Sequence, residues 1–215
     1  MAVIAVAGRW WWRRTDALGR RREFPWVSVV LLSVLAVGTA APGVQRKREE
    51  NRLARVASTL AGTEVRVGCQ TLGSAFVDAG AELGYVRYRR DGTPEHRRLI
   101  KRDQCRDLAA YLRSSKRDPS QRQVIAVHVL THEAMHMAGI TDEAGAECAA
   151  VQRDAWTAGL LGAAEVDARR LALSYWRAIY PRMPDDYRSA ECAPDRVLDE
   201  HMADAPWTLA AKPHG

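Results

Sequence analysis

The sequence predicts an α+β fold: a small antiparallel sheet followed by a helical half, with one N-terminal transmembrane or signal helix in front. Three observations carry this. Residues 24–44 form a run of 21 residues without a charge, directly behind a basic segment. Residues 64–69, 84–89 and 96–100 read as strands, and Asp91-Gly92 is a hairpin signal between the last two. From Asp103 to Tyr180 the apolar residues recur at helical spacing, interrupted at Gly139 and again at residues 159–162.

The N-terminal third is explained by charge. Of the net charge of +6, residues 1–24 carry +4 and residues 25–44 carry none. The pI of 9.4 therefore describes a targeting segment and not a nucleic-acid surface, so no nucleic-acid partner is expected. About 20 apolar residues span a bilayer, and basic residues before them keep the N-terminus cytoplasmic. The expected organisation is a basic cytoplasmic segment at 1–23, a transmembrane or signal segment at 24–44, an amphipathic juxtamembrane helix at 45–62, and an extracytoplasmic domain at 63–215. Two locations are compatible with it. One is a single-pass membrane protein held through residues 24–44 with its C-terminal domain outside. The other is a secreted protein cleaved near Ala40/Ala41, where small residues resemble a signal-peptidase site. In the juxtamembrane helix, Leu53, Val56, Ala57 and Leu60 form an i, i+3, i+4, i+7 stripe that predicts packing onto the domain.

All four cysteines, Cys69, Cys105, Cys148 and Cys192, come after the apolar run. An even count on the exported side predicts two disulfides, and sequence leaves all three pairings open. Cys69–Cys105 with Cys148–Cys192 is the favoured set, because the second bridge would pin the loop-rich tail.

The helical half centres on His132-Glu133-Ala134-Met135-His136, an HExxH pattern. Residues four apart share one helix face, so His132 and His136 can grip one metal ion, and Glu133 leans toward the same site. Ser120 reads as the N-cap of this helix, Gly139 as its stop, and Asp142 as the N-cap of the next. If the two helices form a tight antiparallel pair, position 134 lies about 7.5 Å above Gly139, and Glu147 lies at about the same height above Asp142. Glu147 is thereby the candidate third ligand. Glu143, one turn lower on the same face, is a candidate to hold a histidine by hydrogen bonding or to be the alternative third ligand, and His128, one turn before His132, is a candidate for the same supporting or alternative place.

These residues resemble the zincin metallopeptidases in a small gluzincin-like style, over residues 120–150 only. The resemblance implies a zinc-binding domain at 63–215, with His132, His136 and Glu147 on Zn2+ and Glu133 as general base. A rival resemblance, His-Glu-x-x-His-x-x-Gly-x-x-Asp, is metzincin-like and makes Asp142 the third ligand. The implied activity is a membrane-anchored or exported zinc-dependent metallopeptidase-like hydrolase, using zinc-activated water on a peptide or protein substrate. Tyr187 and His201 are candidates for the group that stabilises the oxyanion. The alternative is a non-catalytic extracytoplasmic zinc-binding or interaction domain.

Overall fold

A computed structural model describes residue 24 and residues 26–70, 84–88 and 94–211, with backbone alone at 84–88, 94–99 and 210–211. The basic segment 1–23, the Asp91-Gly92 turn and the His96 side chain lie outside the described residues. The chain divides into two units, Met1–Arg48 and Glu49–Gly215.

Helix α1 spans Trp26–Ala61. Within the first unit it is long and apolar enough to cross a membrane, with a mean hydropathy of 2.1 over its best window and none of that window buried. Val27, Val30, Leu31, Val34 and Val37 stand exposed there. Such a surface suits lipid or a signal sequence better than water.

The second unit is predominantly helical. It opens on the last turns of α1, whose Leu53, Val56, Ala57 and Leu60 are buried at the expected spacing. Next come three short strands, β1 (Arg66–Cys69), β2 (Gly84–Tyr88) and β3 (Pro94–Ile100), in the order β1-β3-β2. The expectation of an antiparallel sheet as half of an α+β fold is corrected here. Only β2 and β3 pair antiparallel; β1 lies parallel to β3, with Arg66 opposite Arg97 and Cys69 opposite Ile100. Local alternation marks a strand but does not choose its neighbour, and a hairpin signal exists only between β2 and β3. Among the described residues the sheet is a minor element beside the end of α1 and five further helices.

Those helices are α2 (Arg102–Arg113), α3 (Gln121–Met137), α4 (Glu143–Leu160), α5 (Glu165–Ala178) and the short α6 (Pro206–Ala211), with 3-10 turns at Tyr180–Arg182 and Asp185–Tyr187. Helix α3 starts on a full capping box. Ser120 accepts from the Gln123 N–H, and the Gln123 side chain accepts from the Ser120 N–H. From Val124 to Met137 α3 is buried almost all round, as in a helix at the centre of a core. Its neighbour α4 offers Ala146, Ala149, Ala150 and Ala158 as buried small residues, which let the two backbones come close.

The turn between α3 and α4 sets the height at which their side chains meet. Gly139 has φ +105°, which glycine alone adopts readily. The Gly139 N–H donates to His136 O, and the Ile140 N–H to Met135 O. This is a Schellman cap, and it folds Ile140 back alongside the last turn of α3. Asp142 then caps α4, accepting from the Gly145 N–H at 2.6 Å.

Both disulfides of the favoured set are present: Cys69–Cys105 joins β1 to α2, and Cys148–Cys192 joins α4 to the tail. The tail is also held by the buried Gln152, which donates to Leu198 O at 2.9 Å and accepts from the Glu200 N–H at 2.8 Å.

Candidate metal centre

Helix α3 presents three histidines on one face, at 128, 132 and 136. Helix α4 answers with acids at 143, 147 and 154. Climbing α3, the partners descend α4: His128 meets Asp154, His132 meets Glu147 and Glu143, and His136 meets Glu143. The pair is therefore antiparallel, and six ionisable side chains interlock along its seam.

The outer end of the seam gathers three electron-rich atoms. His132 Nε2 and His136 Nε2 lie 3.0 Å apart, and Glu143 Oε2 is 3.1 Å from the first and 3.3 Å from the second. The opposite ring nitrogens are already engaged. His136 Nδ1 is 2.8 Å from Ile140 O, and a carbonyl only accepts, so Nδ1 carries the hydrogen. His132 Nδ1 is 3.0 Å from Glu147 Oε2, again facing an acceptor. With Nδ1 carrying the hydrogen, Nε2 is the atom each ring has left to accept with, and the two point toward one another and toward a carboxylate oxygen. Such a convergence needs a positive centre, either a shared proton or a cation.

The inner end is buried, and apart from Asp154 Oδ1 its polar atoms are paired. His128 Nε2 is 2.9 Å from Glu147 Oε2, and His128 Nδ1 is 2.9 Å from Asp154 Oδ2. The Tyr175 hydroxyl, from α5, donates to Glu147 Oε1 at 2.6 Å, and its ring stacks on His128 with centroids 3.6 Å apart. Burial alone would push the His128 imidazole down. The carboxylates of Glu147 and Asp154 outweigh it and raise the value to about 10. Burial also opposes ionisation of Glu147, but the His128 charge and hydrogen bonds from His128, His132 and Tyr175 hold it well below the usual carboxylate range. At Asp154 burial wins over His128, and its carboxyl is pushed up.

The height expected for Glu147 is thus offset by one turn. Glu143 reaches both Nε2 atoms, while Glu147 meets the far nitrogen of His132 and, beyond it, His128. Counting residues from the loop treats Gly139 and Asp142 as level. The Schellman cap instead carries the chain back up along α3, so α4 begins a turn higher. Gly139 followed by apolar Ile140 is the sequence signal for that cap.

The remaining candidates fall in different places. Asp142 is occupied as a cap, as the metzincin-like pattern would not have it. Glu133 is buried on α3. Tyr187, on the second 3-10 turn, lies against the His132 ring with centroids 5.7 Å apart. His201 is exposed, 3.3 Å from the largely covered Asp199, in a group with the exposed Asp195. Asp154 and Tyr175 are functional candidates that sequence reasoning misses. Asp154 sits seven residues after Glu147, on the same helical face, and that spacing is the signal that points to it.

Among the described residues three groupings have ligand atoms close enough to hold an ion: His132/His136/Glu143, the fully buried His128/His132/Glu147, and Asp195/Asp199/His201 on the tail. The cluster is compatible with an HExxH-type site. Compared with protein-family models, curated proteins and solved structures, the chain matches none.

Proposed function

We propose that the protein is a zinc-dependent hydrolase of the metallopeptidase type, tethered to a membrane or exported across it. One observation carries the reading: the lone pairs of His132 Nε2 and His136 Nε2 converge with Glu143 Oε2, while both Nδ1 atoms are held by acceptors. Two imidazole nitrogens and one carboxylate oxygen are a donor set that suits catalytic zinc. His132, His136 and Glu143 would hold the ion, with Glu147 and the Ile140 carbonyl orienting the two rings. Zinc, when bound, supplies Lewis-acid polarisation of a carbonyl and an acidified water. Glu133 is the general base, taking a proton from the attacking water, and Tyr187 lines the site beside His132. A peptide or protein is the substrate class. An apolar N-terminal helix together with two disulfides supports an extracytoplasmic location for the domain.

Metal analysis tests the site. The wild type is expected to bind one zinc per chain, and His136→Ala to lose it. Equal zinc in both samples would rule out this centre. Glu133→Gln is expected to keep the zinc but lose hydrolysis of a general peptide substrate by ~10²–10⁴-fold, because an amide cannot take the proton. Unchanged turnover would leave a zinc-binding domain without this chemistry.

A further inference from the structure

Glu143 and Glu147 are identical carboxylates on one face of α4, four residues apart, and each touches a nitrogen of His132. Something must keep the second from competing for the ion. Glu147 Oε2 faces His132 Nδ1 and His128 Nε2, and Oε1 accepts from the Tyr175 hydroxyl. Three donors hold the carboxylate, two on Oε2 and one on Oε1. Swinging it toward the ion would strand all three in a buried interior, where an unpaired polar group is costly. Two of the three, His128 and Tyr175, lie outside the proposed ligand set, and His128 is the one tied to a further acid. Its other nitrogen is anchored by Asp154, and its ring is clamped face to face by Tyr175.

We propose that His128 and Asp154 are positioning residues for the metal centre: they lock Glu147 onto Nδ1 of His132, so that His132 presents Nε2 to the ion and Glu143 supplies the carboxylate. The inference rests on the zinc reading and extends it two residues inward, to a pair that would touch neither the ion nor a substrate. In this arrangement the ladder Asp154–His128–Glu147–His132 works in one direction. Each member fixes the rotamer and hydrogen position of the next, and the last is a ligand. A purely structural role for the buried pair would stabilise the helices equally well, but it would leave the ion's environment unchanged when removed.

The test uses the full chain in detergent, with zinc affinity measured by chelator competition and the electronic absorption of the Co2+-loaded protein as a second readout. His128→Ala is expected to weaken zinc binding by ~10–100-fold, the range for groups that orient a ligand, and to change the cobalt spectrum. Added imidazole, filling the vacated ring site, should restore both. Asp154→Asn retains an acceptor for Nδ1 without the charge and should shift the same readouts in the same direction by less. Leu108→Ala is the control. This fully buried α2 residue should lower the melting temperature but keep wild-type affinity and spectrum. A folded His128→Ala protein with wild-type affinity and spectrum overturns the proposal. So does a change no different from that in Leu108→Ala. If His128→Ala does not fold, Asp154→Asn decides, and an unaltered spectrum and affinity there overturns it too. Zinc binding by the wild type that is lost in Glu143→Gln keeps the metal reading intact whatever His128 does, whereas a wild type that binds neither ion removes both.

Discussion

The two sides of the His132 ring differ sharply. On the Nε2 side, Glu143 is 40% exposed and His136 stands at the edge of the core. On the Nδ1 side, Glu147, His128 and Asp154 are between 0% and 3% exposed. One helical turn on α4 separates the two glutamates, yet their surroundings assign them different work. A site that exchanges water or substrate needs an accessible side, while a group that orients a ring gains from being buried and fully hydrogen-bonded. Depth, more than residue type, distinguishes the two acids.

The largest expected effect that tests this contrast is on the stability of the metal-free protein. Glu147→Ala strands three buried donors and removes the partner of a buried imidazolium. Losing one partner of a buried pair costs ~3–5 kcal/mol. Glu143→Ala, at a half-exposed position, should cost about 0.5 kcal/mol or less while abolishing zinc binding. Urea unfolding in the presence of a chelator, set beside zinc titration, measures both. If Glu147→Ala lost zinc at unchanged metal-free stability, the assignments of the two acids would have to be exchanged. The inner side should also make stability depend on pH. The folded value for His128, about 10, lies above its ordinary 6.5, so its contribution is complete below pH 6.5 and is lost as pH rises toward 10. Glu147 is shifted down, so its contribution holds above the ordinary carboxylate range and fails only in strong acid. Metal-free wild type should weaken between pH 6.5 and 10, and Glu147→Ala should show a shallower slope.

A smaller effect is expected from the bridge beside the inner side. Cys148 is the residue directly after Glu147, and its disulfide to Cys192 closes a sequence separation of 44 residues. Replacing both cysteines with serine should cost ~2–4 kcal/mol through the unfolded chain. Because Gln152 still holds Leu198 and Glu200, zinc affinity should fall less than in Glu147→Ala. A loss of zinc as large as that of Glu143→Ala would show that the tail, with Tyr187 on it, builds the outer side as well.

Much of the molecule is legible in the sequence because it is encoded locally. The charge-free run, the Ser120 cap, the Gly139 stop, the Asp142 cap and the Leu53–Leu60 stripe each depend on residues a few places apart. The His132–His136 pairing is local for the same reason. What does not show is set by tertiary register. The parallel pairing of β1 with β3 depends on how the chain crosses over, which no short pattern records. The one-turn offset between Glu143 and Glu147 depends on a loop whose rise a residue count takes as zero. Asp154 and Tyr175 become partners of His128 only once three helices are docked.

The smallest predicted effect isolates that loop. Asp142 is the acid nearest in sequence to Glu143, and a metzincin-like site would use it as a ligand. Here its carboxylate is spent on the first turn of α4, with Oδ1 2.6 Å from the Gly145 nitrogen. Asp142→Ala should therefore cost on the order of 1 kcal/mol, the usual loss for an N-cap, and leave zinc bound. Gly145→Ala approaches the same contact from the other side. A methyl group there would lie 2.7 Å from both Asp142 carboxylate oxygens, so the cap must shift although Asp142 is still present. The two substitutions should resemble each other in stability, and the double variant should add little to either, because both remove one interaction. If Asp142→Ala lost the zinc and Gly145→Ala kept it, Asp142 would be touching the ion, and the outer side of His132 would have to be redrawn around it. If both lost it, the cap would be what sets the height of Glu143. The one-turn offset that separates the two glutamates would then trace to a single hydrogen bond at the start of α4.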